Sequence, residues 1–447
     1  MKRVFLLLLC VILTCCGEKR RPPVDDDATG TSKETYVKSQ QIDVVGAQLF
    51  APEIKVFVEN SASMDGYVAG ITGFENAVYS YLAKIQGADL GVIPDSLPQN
   101  KNVMVLNYIN SKIIEQNPNI DAFIRALEPI AFKNKGGNRG TTDISQILRT
   151  IVEQTDDNDI SIFVSDCIFS PGRAYAREDD AKEYLTSQKV GITTTFSSKL
   201  NDRDGSDFSV AVMRLTSNFR GYYYDRLNAP HPYDGIRPYY IWLMGSREHI
   251  ANLLKAINVD EISEFKDSGL KVFIASNNSL DGASYEVLAN GKGTGKFRKK
   301  EKHTITNVKP AKNRSAGRGG CSSGSEYIFK LPIGVDLSNV LLSDSYLLNP
   351  DNYDVSSQDY RIEIEKNAPG SKYSHTLMLI SENKIIPQGE VSITLKNVMP
   401  DWFNDYSVTE DTMVIDPEKT FGLSYLMNGV VEAYSNKNIG TLTIKIQ

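Results

Sequence analysis

Three oxygen-bearing side chains follow a short apolar segment near the start of the chain. Glu59, Ser61 and Ser63 are spaced E-x-S-x-S and come directly after residues 54–58, which are apolar except for Lys55. Carboxylate and hydroxyl oxygens are the donors that hard divalent cations such as Mg²⁺ and Mn²⁺ prefer. The spacing therefore predicts a cation site at the point where a buried strand ends.

Two further segments bring oxygen-bearing side chains to the ends of predicted elements. Thr142 follows a glycine-rich loop at residues 136–140, and the neighbouring Thr141 is an alternative to it. Asp166 follows the apolar strand predicted at residues 160–164. In a parallel sheet the ligand site lies beyond the carboxyl ends of the strands, so we expect these segments to meet there.

The elements that must position these residues are predicted between residues 45 and 262. Apolar strand patterns alternate there with helix patterns, such as Phe74, Ala77 and Val78, which repeat at the spacing of one helix face. Such alternation is typical of a sheet covered by helices on both faces. We therefore predict an α/β fold with a doubly wound, mostly parallel sheet over residues 45–262.

The order of these residues resembles the metal-ion-dependent adhesion site of von Willebrand factor A domains. That family has D-x-S-x-S after its first strand, a threonine in a second loop and an aspartate at the end of a later strand. The resemblance implies that Ser61 and Ser63 bind Mg²⁺ or Mn²⁺ directly and that Thr142 binds directly or through water. It implies that Glu59 and Asp166 hold the waters of the metal.

Two residues depart from the family pattern, and each site residue has an ordinary structural alternative. Glu59 stands where the family has aspartate, and Cys167 stands where glycine is expected after Asp166. Because Mg²⁺ requires near-octahedral geometry, the longer glutamate lowers the expected affinity. Serines after a strand also cap turns, and Thr142 or Asp143 is a suitable N-cap for the next helix.

The second part of the chain, residues 263–447, has a different pattern. Short strand patterns are separated by turn clusters such as residues 349–352, which predicts a β-rich domain, most simply an antiparallel sandwich. A basic insertion lies near residues 292–324, and residues 292–318 contain ten Lys or Arg and one acid. Such a block is able to hold an acidic glycan, a lipid headgroup or a protein, but we favour a solvated loop.

The N-terminus resembles the signal of a bacterial lipoprotein. Lys2 and Arg3 precede an apolar run at residues 4–13 that is too short to span a bilayer. Residues 13–16 resemble a lipobox, which implies a signal peptide at 1–15 and a lipidated Cys16, with Cys15 as the alternative. The polar residues 16–44 then predict a flexible tether. We expect a lipid-anchored envelope protein facing the periplasm or the surface, and favour the outer membrane over the inner.

Composition narrows the functional classes. The four histidines are scattered, and Cys167 and Cys321 are the only cysteines after the predicted lipidation site. This argues against a zinc site and against a catalytic histidine relay, so we expect no enzyme, with a metal-assisted hydrolase as the weakest alternative. An envelope protein is not expected to bind nucleic acid. We predict a module that binds the carboxylate of a protein partner through its metal. The alternative is a metal-free scaffold lipoprotein of an envelope assembly.

Overall fold

The fold was taken from a computed structural model of the chain, in which Gln48–Gln447 forms one compact unit. Three hydrophobic clusters stabilise this unit: two lie on either face of a seven-stranded sheet, and the third lies between two five-stranded sheets. The structure describes residues 50–70, 72–93, 101–140, 143–202, 207–312, 325–412, 416–434 and 438–447. The predicted signal peptide, the tether and Cys16 lie outside these residues.

The seven-stranded sheet is parallel at its centre and antiparallel towards its edges. Its strands are β1 (Glu53–Glu59), β2 (Met104–Ile109), β3 (Ile113–Glu115), β4 (Asp159–Ser165), β5 (Phe208–Tyr224), β6 (Pro230–Ser246) and β7 (Lys271–Ala275). Their order is β3-β2-β1-β4-β6-β5-β7. β1 pairs in parallel with β2 and β4, and the remaining neighbours are antiparallel. The long β5–β6 hairpin thus adds antiparallel pairing to the predicted parallel strands.

Helices cover both faces of this sheet, as the sequence pattern predicts. They are α1 (Gly73–Gly87), α2 (Ile120–Arg125), α3 (Pro129–Lys133), α4 (Ile144–Glu153), α5 (Glu178–Asn201), α6 (Arg247–Ala256) and α7 (Ser263–Lys266). Ile54, Val56 and Val58 face the cluster that contains α1, while Phe57 faces the cluster that contains α4 and α5. This alternation follows from the two-residue period of a strand. The chain is therefore mixed α/β.

The C-terminal part is β-rich, and its two five-stranded sheets enclose one core. The remaining elements, labelled in chain order, are β8 (Tyr285–Val287), β9 (Lys296–Glu301), β10 (Thr304–Lys309), β11 (Ala311–Lys312), β12 (Tyr327–Val335), α8 (Asp344–Leu347), β13 (Tyr353–Val355), β14 (Arg361–Lys366), β15 (His375–Ser381), β16 (Gly389–Lys396), α9 (Trp402–Asp405), β17 (Ser407–Val408), β18 (Thr420–Phe421), α10 (Leu423–Ala433) and β19 (Asn438–Ile446).

The two sheets of this part pack face to face. The first sheet has the order β13-β16-β19-β10-β9, and the second has β11-β12-β15-β14 with β8 beside β12. Leu331 and Ile333 of the second sheet share a buried cluster with Ile393 and Leu442 of the first, as in a sandwich.

The domain boundary expected between residues 262 and 263 does not coincide with the boundary between the α/β part and the β-rich part of the structure. β7 lies beyond it and completes the seven-stranded sheet by pairing with β5. α10 returns to the α/β part, where Gly429 lies against Ile192 of α5. The basic segment also differs from the expected solvated loop, because residues 296–312 form β9, β10 and β11.

Candidate functional site at the carboxyl edge of the central strands

Parallel pairing of β1 and β4 brings Glu59 and Asp166 to the same edge of the sheet. Val58 pairs with Val164, so the chain leaves both strands side by side. The Ser165 hydroxyl donates a short hydrogen bond to the Glu59 carboxylate, and the Cys167 backbone N–H donates to Ser165 Oγ at 2.7 Å. Glu59 and Asp166 are each only 1% exposed. The edge of the sheet therefore holds two buried carboxyl groups.

The surroundings of these carboxyl groups favour their neutral form. Burial, and secondly the charge of Asp166, raise the pKa of Glu59 to about 8, although hydrogen bonds from Ser165 and Ser61 oppose the shift. Burial also raises the pKa of Asp166, while the positive charge of Arg237 opposes it. A buried carboxyl pair of this kind needs a proton or a cation at neutral pH.

The two predicted serines lie beside the two carboxyl groups. Ser61 Oγ and Ser63 Oγ are 2.9 Å apart and share a hydrogen bond. The Ser61 hydroxyl partly opposes the rise in the pKa of Glu59, and the Ser63 hydroxyl partly opposes the rise in the pKa of Asp166. Four of the five predicted site residues therefore meet at one place. The fifth, Thr142, and its alternative Thr141 lie outside the described residues.

One oxygen of Asp166 lacks a partner. Oδ1 accepts a long hydrogen bond from the Ile168 backbone N–H at 3.4 Å. Oδ2 is buried and has no hydrogen-bond partner of normal geometry within the described part of the chain. Because an unpaired buried polar group costs free energy, this oxygen points to a ligand that completes the site.

A buried arginine, which the sequence does not mark, lies at the same edge. β6 pairs with β4 through Tyr240 and Ser165, so Arg237 lies three residues beyond the end of β4. Its side chain is 1% exposed, and its Cζ is 4.4 Å from the centre of the Tyr223 ring. Its nitrogens have no hydrogen-bond partner of normal geometry among the described residues. Its positive charge nevertheless stabilises the ionised form of Asp166.

The β5–β6 hairpin covers the E-x-S-x-S loop, which explains the burial of the carboxyl groups. A Cβ atom on Gly66 would lie 2.3 Å from the Phe219 ring, and one on Gly221 would lie 2.8 Å from the Cα of Gly66. Only glycine allows the backbones to approach this closely. Ser63 nevertheless keeps partial solvent exposure, so the site has one open side.

Polar side chains connect the E-x-S-x-S loop, the end of β2 and the segment from α3 to the glycine-rich loop. The Arg139 guanidinium donates to the Ser61 carbonyl oxygen at 2.9 Å and forms a short ion pair with Asp65. Asn60 Nδ2 donates to the Phe132 carbonyl at 2.7 Å, and Asn110 Nδ2 donates to that of Gly136 at 2.8 Å. These contacts bring the loop that leads towards Thr142 to the site. Asn60, Asn110 and Arg139 were not predicted, because their partners lie far from them in the sequence.

The side chains fit an oxygen-ligated cation with one restriction. All donors are carboxylate or hydroxyl oxygens, which suits Mg²⁺ or Mn²⁺. The described residues contain no group of three or more His, Cys, Asp or Glu side chains able to hold a metal, so hydroxyl ligands are needed here. Arg237 is a permanent positive charge beside Asp166 and lowers the affinity for a second cation.

Comparison with known proteins does not identify this site. No protein-family model, curated protein or solved structure matches the chain. The resemblance to an adhesion site therefore depends on the residues and geometry given above. Among the helices that the structure describes, none is both long enough and apolar enough to cross a membrane.

Proposed function

We propose that this chain is a lipid-anchored envelope protein that binds a protein partner through a divalent cation at the carboxyl edge. The observation that supports this most directly is the unpaired, buried Oδ2 of Asp166, which lies beside a second buried carboxyl group. A bound Mg²⁺ or Mn²⁺ would supply the bonding partner that this oxygen lacks among the described residues and a position for the carboxylate of the partner protein.

The site residues have different roles in this proposal. Ser61 and Ser63 would hold the cation, together with Thr142, as the resemblance implies. The unpaired Oδ2 of Asp166 would bind the cation directly, instead of through a water as the resemblance implies. Glu59 lies deeper and already accepts a hydrogen bond from Ser165, so it suits a role in holding a water of the metal. The partner would approach from the side of Ser63, which is the partly exposed member of the set.

A thermal-unfolding comparison tests the cation. Millimolar Mg²⁺ or Mn²⁺ should raise the Tm of the wild type by about 2–4 °C relative to EDTA, because a ligand that binds only the folded state stabilises it. Asp166→Ala and the double variant Ser61→Ala/Ser63→Ala should lose this increase.

A matched control exists in the second half of the chain. Ser343 and Ser345 have the same spacing, and their hydroxyl oxygens are 3.1 Å apart, but they lie outside the site. The Ser343→Ala/Ser345→Ala variant should therefore keep the full increase in Tm. A wild type that does not respond to either ion would contradict the cation proposal.

The position of Arg237 favours a second candidate function. If the wild type shows no cation response, Arg237 is the positive charge that balances Asp166 within the described part of the chain, and the domain would be a metal-free scaffold of an envelope assembly. In that case Arg237→Met should destabilise the protein equally in Mg²⁺ and in EDTA. A destabilisation that Mg²⁺ reverses would instead support the cation site.

A further inference from the structure

The β9–β10 hairpin concentrates positive charge on one side of the first five-stranded sheet. β9 is the edge strand, and its residues Lys296, Arg298 and Lys300 alternate with the partly buried Phe297 and Lys299. Lys309 of β10 pairs directly with Lys296 and therefore lies on the same face. Four exposed cations thus form one compact surface, which we call the basic face (Lys296, Arg298, Lys300 and Lys309).

The protein does not neutralise this face itself. Between residues 292 and 312 the sequence has eight Lys or Arg and a single acid, Glu301. Lys299 points away from the face and pairs with Glu286 at 2.7 Å. Within the described residues, no acidic oxygen lies within 4.0 Å of a charged nitrogen of Lys296, Arg298, Lys300 or Lys309.

Folding does not account for this arrangement. Like charges directly opposite each other on neighbouring strands, as in the pair Lys296 and Lys309, destabilise a sheet. Lysines on an edge strand prevent pairing with other chains, which accounts for the charges on β9 but not for a second lysine placed opposite Lys296 on β10. The basic face therefore has the character of a binding surface.

Charge and position together indicate its ligand. Lys and Arg on a rigid strand repeat every second residue, about 7 Å apart, and an arginine suits the bidentate recognition of phosphate. The predicted lipidation site, Cys16, precedes the first described residue, Phe50, by 34 residues, which reach at most on the order of 120 Å even when fully extended. A lipid anchor at Cys16 would therefore keep the compact unit within reach of a lipid surface.

We propose that the basic face binds the phosphate-bearing headgroups of an anionic membrane surface and acts as a second membrane contact beside the lipid anchor. This proposal rests on the lipid anchor of the proposed function, but it is independent of the carboxyl-edge site. Clusters of basic residues close to a membrane add to the binding that an acyl anchor supplies. The whole chain has a formal net charge of −6, so the attraction has to be local to this face.

Sedimentation with lipid vesicles tests the proposal. The chain without its lipid, from residue 17 onwards, should bind vesicles rich in phosphatidylglycerol more strongly than vesicles of phosphatidylcholine alone, and added salt should weaken the binding. The variant Lys296→Gln/Arg298→Gln/Lys300→Gln/Lys309→Gln should reduce the partition coefficient by roughly tenfold or more.

A matched variant separates the effect of the basic face from the effect of lowering the net positive charge elsewhere. Lys101→Gln/Lys112→Gln/Lys266→Gln/Lys271→Gln removes the same charge from exposed positions of the α/β part and should keep the wild-type coefficient within about twofold. An equal loss in both variants would overturn the proposal, as would a wild type that does not bind anionic vesicles. Binding to soluble dextran sulfate without binding to vesicles would also overturn it, in favour of a polyanionic glycan.

Discussion

The carboxyl-edge site and the basic face both concentrate charge, but they do so in opposite surroundings. Glu59, Asp166 and Arg237 are each 1% exposed, whereas the lysines of the basic face are in water. Interactions between charges are strong in the protein interior and are screened at the surface. The three buried ionisable residues should therefore influence folding more than the exposed cations of the basic face, although only the basic face is visible as a cluster of charges in the sequence.

The largest expected effect comes from removing the buried cation. Arg237→Met leaves Asp166 without a compensating charge, and breaking a buried charge arrangement typically costs about 3–5 kcal/mol. We expect a loss of this size in the free energy of unfolding, measured by denaturant titration in EDTA. Arg220, whose side chain is 79% exposed in the same hairpin, is the control: Arg220→Met should change stability by less than about 0.5 kcal/mol. Similar losses in both variants would contradict the contrast between the two regions.

A smaller effect should appear in the pH dependence of stability. The folded-state pKa of Glu59, about 8, lies above its ordinary value of 4.5, so the folded protein keeps a proton that the unfolded chain releases. The stabilisation is complete below about pH 4.5 and is lost as the pH rises towards 8, with a slope of at most about 1.4 kcal/mol per pH unit. Glu59→Gln should flatten this decline between pH 5 and 8, measured by denaturant titration in EDTA.

Glu410 provides a control with the opposite sign. Despite burial, hydrogen bonds from Arg226 and Thr412 lower the pKa of Glu410 to about 2. Its stabilisation is therefore present above about pH 4.5 and is lost only as the pH falls towards 2. Glu410→Gln should leave the slope between pH 5 and 8 unchanged. If Glu59→Gln leaves this slope unchanged too, Glu59 is ionised in the folded protein.

The smallest effect should come from the basic face itself. Lys309→Glu replaces a like-charge pair with an opposite-charge pair across from Lys296, which should stabilise the sheet by about 0.2–1 kcal/mol. The gain should shrink at high salt because the pair is exposed to solvent. Urea titrations at low and high salt measure it, with Lys309→Gln as the uncharged comparison. A change above about 2 kcal/mol would show that this face contributes to folding as the buried site does.

Local patterns in the sequence predict the centre of the α/β part. The apolar positions chosen for the first helix are buried in α1, because a helical face is defined by neighbours three and four residues apart. The meeting of Glu59 with Asp166 also follows from sequence, since the carboxyl ends of parallel strands share one edge of the sheet. These features depend on short stretches of chain.

Features that depend on distant pairing were not predictable in this way. Arg237 reaches the site because the seventeen-residue strands β5 and β6 extend past the end of β4. Residues 230–236, the outer part of β6, alternate between exposed and partly buried positions, so they give no sign of the buried Arg237 that follows. β7 has an ordinary strand pattern, and only its pairing with β5 assigns it to the first sheet. The pattern of a strand does not specify its neighbour.

The return of α10 to the α/β part restricts the relative rotation of the two halves of the molecule. The chain passes between the α/β part and the sandwich after β7, again after β16, and a third time between α10 and β19. Domains joined by a single linker move relative to each other by default, whereas several connections oppose rotation about any one of them. A membrane bound at the basic face would consequently set the direction in which the carboxyl-edge site points.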